Sequence, residues 1–568
     1  MKFHFKVSER QSLVLYSLFF CIASILITRY EVYSENQALQ LPLVHWLNNP
    51  ELYPNDPFAE TLRYYASTLW YAVAFGIRFI PLEPLLFILF VLERLLLFYA
   101  VGTLAHRFVP KSQLAIAGAM TIFALGLAGP TLGGNQLIIN YFEQTGLAIA
   151  FYLLAFAAFY SQKPLIAALW VGLGFNCNSM FGVYTLTYFG GVFLIDGNYR
   201  RQWKQWLIAF GGFLLIASPA IFLTLSAFSQ QALDSQLWYI TSRARFPHHL
   251  FPLTWNKIEY GKYFVLLFLI ATYLHQNRKA LPSLYRSCLI WGGVSFLWLI
   301  YAFVAAYLTQ SPSMLVMHPG RGLTLWYGVA SIALVSVAAM RLETAKGTEK
   351  KTFRLGIFIA SILLWHPIIG PYILTASFMG LATRPIWLGL FNRGSSQRIV
   401  SLLLGWVLLI SIISVQTHWS QRKSLIDAII QRPPQNIEEI ALWAKANTAT
   451  DQVFLVNYGL SWQQFRALSQ RPAFMNWKDG SAILWNRGFV KPWTERLNAI
   501  GLDLTEKDLS LGKAVSKLNR LYNDLDDEQV KALKSQYKID YWVIAADKPS
   551  DFPVLKEFKD FKIVATNQ

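Results

Sequence analysis

Five of the fourteen acids in residues 1–419 fall between positions 30 and 66, and three of them, Glu31, Glu35 and Asp56, stand where they could do chemistry. A carboxylate just outside an apolar stretch can act as a general base or a metal ligand. The competing reading is an acid-tolerant exported loop in which Asp56-Pro57 makes a turn. Glu31 sits at the very end of the apolar stretch, where an idle charge is costly. A second constellation reads Arg243-Ala-Arg245-Phe-Pro-His248-His249. Guanidinium forks match phosphate oxygens, and imidazoles can donate to them or relay protons. Adjacent histidines cannot share a helix face, so a metal here would need acids from the first loop. Anchoring to anionic lipid headgroups is the alternative.

His318-Pro-Gly-Arg321 repeats the theme, with an arginine that needs an anionic partner: a ligand phosphate or one of the first-loop acids. Asn135, Asn140, Glu143 and Gln144, with Asn176 and Asn178, offer hydrogen bonds suited to sugar hydroxyls, although polar turn residues are common. Asn476-Trp477-Lys478-Asp479 and the nearby Trp485 combine aromatic and charged groups in the manner of a carbohydrate surface. They equally suit a loop that docks on the rest of the chain. Glu93-Arg94 lies inside an apolar stretch, where a structural ion pair is favoured over a substrate or proton pathway.

Something must hold these groups at a membrane. The 568 residues are 54% hydrophobic and 15% aromatic with a mean hydropathy of +0.36, the composition of a polytopic membrane protein. The net charge of +18 is mostly topogenic: residues 1–419 hold 29 Lys+Arg against 14 Asp+Glu, while 420–568 hold 21 against 18. No basic, aromatic-interleaved soluble stretch remains to bind nucleic acid. Cys21, Cys177 and Cys288 fall in or beside apolar stretches, which excludes a disulfide framework.

At about 20 apolar residues per crossing, spans are expected near 12–29, 84–105, 113–130, 145–160, 164–180, 181–196, 205–226, 262–275, 284–308, 323–341, 354–370, 371–390 and 398–416. Basic residues gather in alternate connections: Lys2/Lys6/Arg10, Arg107/Lys111, Lys163, Arg200/Arg201/Lys204, Arg278/Lys279, Arg341 to Arg354, and Arg384/Arg393/Arg398. The positive-inside rule puts these in the cytoplasm. Loops 30–66, 227–261 and 309–322 and the C-terminal segment then share the outer face. The stretch 64–80, with Tyr64, Tyr65, Trp70 and Tyr71, reads as an interfacial or re-entrant helix of belt residues, because a crossing there would reverse every later cluster.

After Trp419 soluble patterns begin. A helix at 436–447, β-like runs at 453–456 and 541–544 and a helix at 527–537 predict a small α/β domain. The expected architecture is a polytopic α-helical membrane protein of about 13 transmembrane helices over 1–419, with a long first outer loop 30–80 and an extracytoplasmic α/β domain over 420–568.

This layout resembles the GT-C superfamily of membrane glycosyltransferases: a first span running outward, a long first outer loop with an acid near its start, a multispan core and an exported C-terminal domain. Leu52-Tyr-Pro-Asn-Asp56-Pro-Phe58, Pro247-His-His249 and Asn476-Trp-Lys-Asp479 also look like motifs of a bacterial polytopic family of unassigned function. The GT-C resemblance implies an inverting sugar transfer at the outer face of the bacterial inner membrane. The donor would be a polyprenyl-phosphate-linked sugar and the acceptor a glycan, lipid or protein. Glu31 or Glu35, with Asp56 as a second candidate, would be the base. Arg243, Arg245, His248, His249, His318 and Arg321 would hold the lipid phosphate, and Asn135, Glu143, Trp477, Lys478 and Asp479 the sugar or acceptor. The first loop has no Asp-x-Asp, which leaves open both the base and a need for Mg or Mn. A transporter or flippase of a lipid-linked or anionic substrate, and a glycan-binding membrane protein without catalysis, are the alternatives.

Overall fold

A computed structural model describes residues 9–126, 131–228, 234–364, 396–419, 429–506 and 509–566. Among them, five helices are long and apolar enough to cross a bilayer: Arg10–Thr28, Leu82–Phe108, Trp203–Ser226, Pro282–Thr309 and Pro312–Glu343. The protein is a membrane protein. Shorter apolar helices fill the spaces between, with boundaries written in the sequence. Pro164 opens the Pro164–Cys177 helix at its first turn, and Asn178 then caps Ser179–Ile195 by accepting from the Phe181 amide at 3.4 Å. Pro319–Glu343 is the central post, buried over most of its length. The expected span at 354–370 lies partly, and that at 371–390 wholly, outside the described residues.

A 3-10 turn, Leu62–Tyr64, leads into the stretch 64–80, which holds a nine-residue helix, Thr68–Gly76. Its rise of about 14 Å is half of a hydrocarbon core of about 30 Å, so this helix does not span one. The belt reading needs correction at two residues. Trp70 is fully buried and Tyr65 turns inward, while Tyr71, Phe75 and Phe79 are the exposed aromatics.

Among the described residues, six strands position the remainder. β1 (Tyr30–Glu31) pairs in parallel with β2 (Ile430–Gln431), joining the chain just after the first long helix to the chain after the last described one. β3 (Phe454–Leu455), β4 (Tyr541–Ala545), β5 (Val554–Glu557) and β6 (Phe561–Ala565) form a sheet in the order β3-β4-β6-β5, with β3 and β4 parallel and the rest antiparallel. The Gln435–Asn447 and Asp527–Gln536 helices flank it at nearly the boundaries read from sequence.

The seam between the first loop and the C-terminal segment is ionic and dry. Arg466 donates to Asp56 at 2.6 Å and to Asp479 at 2.8 Å, with all three side chains buried. Asp56 also accepts from the Ala473 amide at 3.2 Å and caps its own short helix, accepting from the amides of Phe58 and Ala59. Nearby, Arg432 bridges Glu83 and Glu438. These contacts and the β1–β2 pair bring loop 30–66 and the C-terminal segment together on one face of the described structure.

Candidate active site

A cavity of about 860 Å³ lies between that seam and the helix bundle. One wall is anionic. Glu31, at the end of β1, accepts from Ser34 Oγ at 2.6 Å, and its own amide is held by the Asn140 carbonyl at 2.8 Å. Glu35 follows in the left-handed region at φ 44°, turning the chain into the Gln37–Asn48 helix. Glu143, buried at the start of the Gln144–Tyr160 helix, accepts from Asn36 at 2.7 Å.

The facing wall is cationic. Arg245 ends the Ser235–Arg245 helix and donates to the Trp477 carbonyl and Ser481 Oγ, both at 3.1 Å. Burial, opposed by Glu35 and Asp479, brings its pKa down to about 10, so it stays a cation. Lys478 reaches in from the C-terminal segment and meets Glu35 at 2.9 Å. Burial pushes the Glu35 carboxyl up, but Lys478 and Arg245 outweigh it and hold the pKa below the ordinary value.

Three histidines lie between. The rings of His248 and His249 are 4.0 Å apart and those of His249 and His318 6.1 Å. Burial, then the cations Arg245, Arg321 and Lys478, lower His248 to about 4. Burial, then Arg321 and the other two histidines, hold His249 well below its ordinary value. Both are neutral at pH 7. His249 Nδ1 lies 2.9 Å from the Gly133 carbonyl, which can only accept, so this nitrogen carries the proton and Nε2 keeps its lone pair. His318 is fully buried, and neither of its ring nitrogens has a hydrogen-bond partner among the described residues. Arg321 Nε is likewise unpartnered there.

Close backbone packing holds this wall. Gly133 (φ 89°) sits so near Gly320 that a Cβ would come within 2.8 Å of its carbonyl carbon, and one on Gly134 (φ 76°) would lie 3.1 Å from the His248 carbonyl oxygen. Toward the membrane part the cavity is apolar. Leu225 lines it yet is 65% exposed on the Trp203–Phe228 helix, which also exposes Leu215 and Phe222, so the chamber adjoins an exposed apolar helix face.

Of the fourteen residues given roles by the resemblance, ten meet here: Glu31, Glu35, Asn135, Glu143, Arg245, His248, His249, His318, Arg321 and Lys478; Asn140, Gln144, Asn178 and Trp485 line the cavity as well. Four do not line the cavity. Asp56 and Asp479 are committed to Arg466. Trp477 is fully buried, packed on Trp493 and under Arg245, so the carbohydrate-surface reading of Trp477 and Asp479 is corrected: neither is open to a sugar. Arg243, two residues before Arg245 and so about 200° around the helix, is exposed elsewhere. Among the described residues no three of His, Cys, Asp and Glu are grouped as metal ligands. No step is assigned to a metal. Glu93 and Arg94 are buried below the cavity, where Arg94 donates to the Ile139 carbonyl and lies over the Phe90 ring. Sequence reasoning missed Gln40, and took Tyr65 for a headgroup residue; both line the cavity.

Residues 435–500 match a family model described as a domain of unknown function, DUF6798. No curated protein matches the chain. Two solved structures are similar at 12% identity: an apo oligosaccharyltransferase from Archaeoglobus fulgidus (TM-score 0.43, covering 96% of this chain and 70% of that one) and apo ArnT from Cupriavidus metallidurans (TM-score 0.40, covering 98% and 97%).

Proposed function

We propose that this protein is a membrane glycosyltransferase that moves a sugar from a polyprenyl-phosphate-linked donor to an acceptor at the outer face of the bacterial inner membrane. In this reading, residues 429–566 belong to an extracytoplasmic domain and the N-terminus is cytoplasmic. One observation carries the proposal. A single chamber holds the first-loop acids opposite Arg245, Lys478 and Arg321, and its apolar flank adjoins the exposed apolar helix face at Leu225. A phosphate on a long apolar chain needs that combination. Glu35, or Glu31 beside it, takes the proton of an acceptor hydroxyl as its oxygen attacks the anomeric carbon from the face opposite the phosphate. The anomeric carbon–phosphate oxygen bond breaks, the configuration inverts, and the cationic wall stabilises the charge on the departing phosphate.

The test uses the full chain in nanodiscs with polyprenyl-phosphoryl hexoses and a bacterial envelope extract as acceptor. Transfer that falls about a hundredfold or more in Glu35→Gln or Glu31→Gln supports the reading. Transfer intact in both variants sinks the base assignment, and counterflow of donor without any covalent product identifies a transporter instead.

A further inference from the structure

His249 stands on the cationic wall, yet the nitrogen it offers to the cavity is no donor. Its Nδ1 lies 2.9 Å from the Gly133 carbonyl, and the ring turned over would set Cδ2 against that oxygen and lose the bond, so orientation and tautomer are fixed together. Nε2 is left with a lone pair and no proton. The surroundings hold the ring in place: the His249 amide donates to the Phe246 carbonyl at 3.1 Å, and the His248 ring packs 4.0 Å away. A Cβ on Gly134 would come 3.2 Å from His249 Nδ1, so the turn that carries Gly133 lies close against it. Both nitrogens of His318 are sealed from a water-sized molecule, whereas His249 Nε2 is open to one and has no partner among the described residues.

Arg321 is the charge that acts most strongly on His249. It lines the same cavity, and no ion pair engages its guanidinium among the described residues. A fork that suits a phosphate thus stands near a group that can only accept. The two cannot serve the same oxygens. The phosphodiester of a lipid-linked sugar is ionised at pH 7 and carries no proton, so its oxygens meet Arg321 and are repelled by the lone pair of Nε2. What Nε2 needs is a proton donor close beside the phosphate. In a sugar joined through its anomeric carbon, the hydroxyl on the neighbouring ring carbon is the nearest such donor.

We infer that His249 is a specificity-determining residue for the donor sugar: its Nε2 accepts the hydrogen bond of the hydroxyl on the carbon next to the anomeric carbon, while Arg321 holds the phosphate. The inference rests on the lipid-phosphate donor reading and moves His249 from the phosphate to the sugar. A sugar without that hydroxyl leaves Nε2 to water and binds more weakly.

The full chain in nanodiscs is titrated with farnesyl methyl phosphate, with the farnesyl-phosphoryl diesters of glucose, mannose and galactose, and with their 2-deoxy counterparts. Wild type, His249→Asn, His249→Phe and Arg321→Gln are compared. Every ligand is a diester, so none changes its charge near neutral pH. We expect at least one sugar to bind wild type about three- to tenfold more tightly than its 2-deoxy counterpart. His249→Asn should erase that ratio and leave the 2-deoxy sugars bound as in wild type, because its amide can still donate to the Gly133 carbonyl and offers nothing at the place of Nε2. It serves as the variant that folds, and His249→Phe should erase the ratio as well. Arg321→Gln should weaken every ligand and keep the ratio. A wild type that binds none of the diesters overturns the donor reading, and the sugar contact falls with it. Three outcomes overturn the inference alone: diester binding with no 2-deoxy penalty, a penalty that survives both His249 substitutions, or a loss in His249→Asn that is equal for hydroxylated and 2-deoxy sugars.

Discussion

Lys478 Nζ lies 2.9 Å from Glu35 Oε2, so a cation of the C-terminal segment and an acid of the first loop neutralise each other at the mouth of the cavity. The two are unequally placed. The Glu35 side chain is 56% exposed and that of Lys478 only 12%, so the acid faces the opening and the amine faces inward. A carboxylate held by an ammonium is a weak base. On the donor reading, a phosphate entering beside Arg245 competes for Lys478 and releases Glu35, which ties base strength to donor occupancy.

The pair has a pH signature. Lys478 and Arg245 pull the Glu35 pKa down against a burial effect that pushes it up. In Lys478→Met the burial effect and Arg245 remain, so Glu35 should titrate at a higher pH than in wild type. The acid limb of the transfer rate should move toward neutrality, because protonated Glu35 cannot accept the acceptor's proton. An acid limb that stays in place would assign the base role to Glu31.

Asp56 and Glu35 should separate cleanly when mutated. Arg466 meets Asp56 and Asp479 in a seam where none of the three side chains is open to water. Arg466→Met leaves two buried carboxylates unpaired and should cost about 3–5 kcal/mol. It should be read as a lowered Tm and rapid proteolysis between the membrane part and the C-terminal segment. Asp56→Asn should lower Tm and activity together, whereas Glu35→Gln should lose activity at an unchanged Tm. Loss of activity in Asp56→Asn without loss of stability would restore Asp56 as a chemical residue.

Membership of this site was legible in sequence where charge type and topology coincide. Arg245 and Arg321 stood out as cations on the face that positive-inside bias depletes, with His248, His249 and His318 beside them in sequence, and all five line the cavity. Adjacency along the chain misled for Arg243, because two residues of helix carry a side chain to the opposite side. Trp477 and Asp479 misled for another reason: an aromatic and acidic cluster reads the same whether it faces solvent or closes a buried seam, and only the partner Arg466 distinguishes the two. Gln40 gave no signal, since one glutamine in an apolar run is ordinary. The β5–β6 hairpin was also unreadable, because β5 is exposed throughout and carries no apolar alternation.

The two glycines of the 131–136 turn test whether the histidine wall must be held close. Gly133→Ala places a Cβ 2.8 Å from the Gly320 backbone at φ 89°, and neither backbone can yield as a side chain would. The conformational penalty alone is about 1–2 kcal/mol, and the collision adds to it. Farnesyl phosphate binding should fall with the substitution, because Arg321 follows Gly320 directly. A milder effect is expected for Gly134→Ala, whose nearest backbone atom is 3.1 Å away.

The β1–β2 pair makes a topological prediction that does not depend on counting spans through residues 365–395. Tyr30 and Ile430 are partners in one parallel ladder, so Glu51 in the first loop and Glu528 in the C-terminal segment must share a compartment. The three native cysteines are buried, so single cysteines introduced at Glu51, Glu528 and Arg200, all exposed, report cleanly to an impermeant maleimide. Glu51→Cys and Glu528→Cys should label from the same side and Arg200→Cys from the other. The ladder alone fixes the first equality, whereas the basic clusters fix its direction, with 51 and 528 labelled in intact spheroplasts and 200 only after lysis. Opposite labelling of 51 and 528 would break the ladder and, with it, the cavity that needs Lys478 and Glu35 on one face. Equal labelling with the reverse direction would keep the cavity and move its chemistry to the cytoplasm.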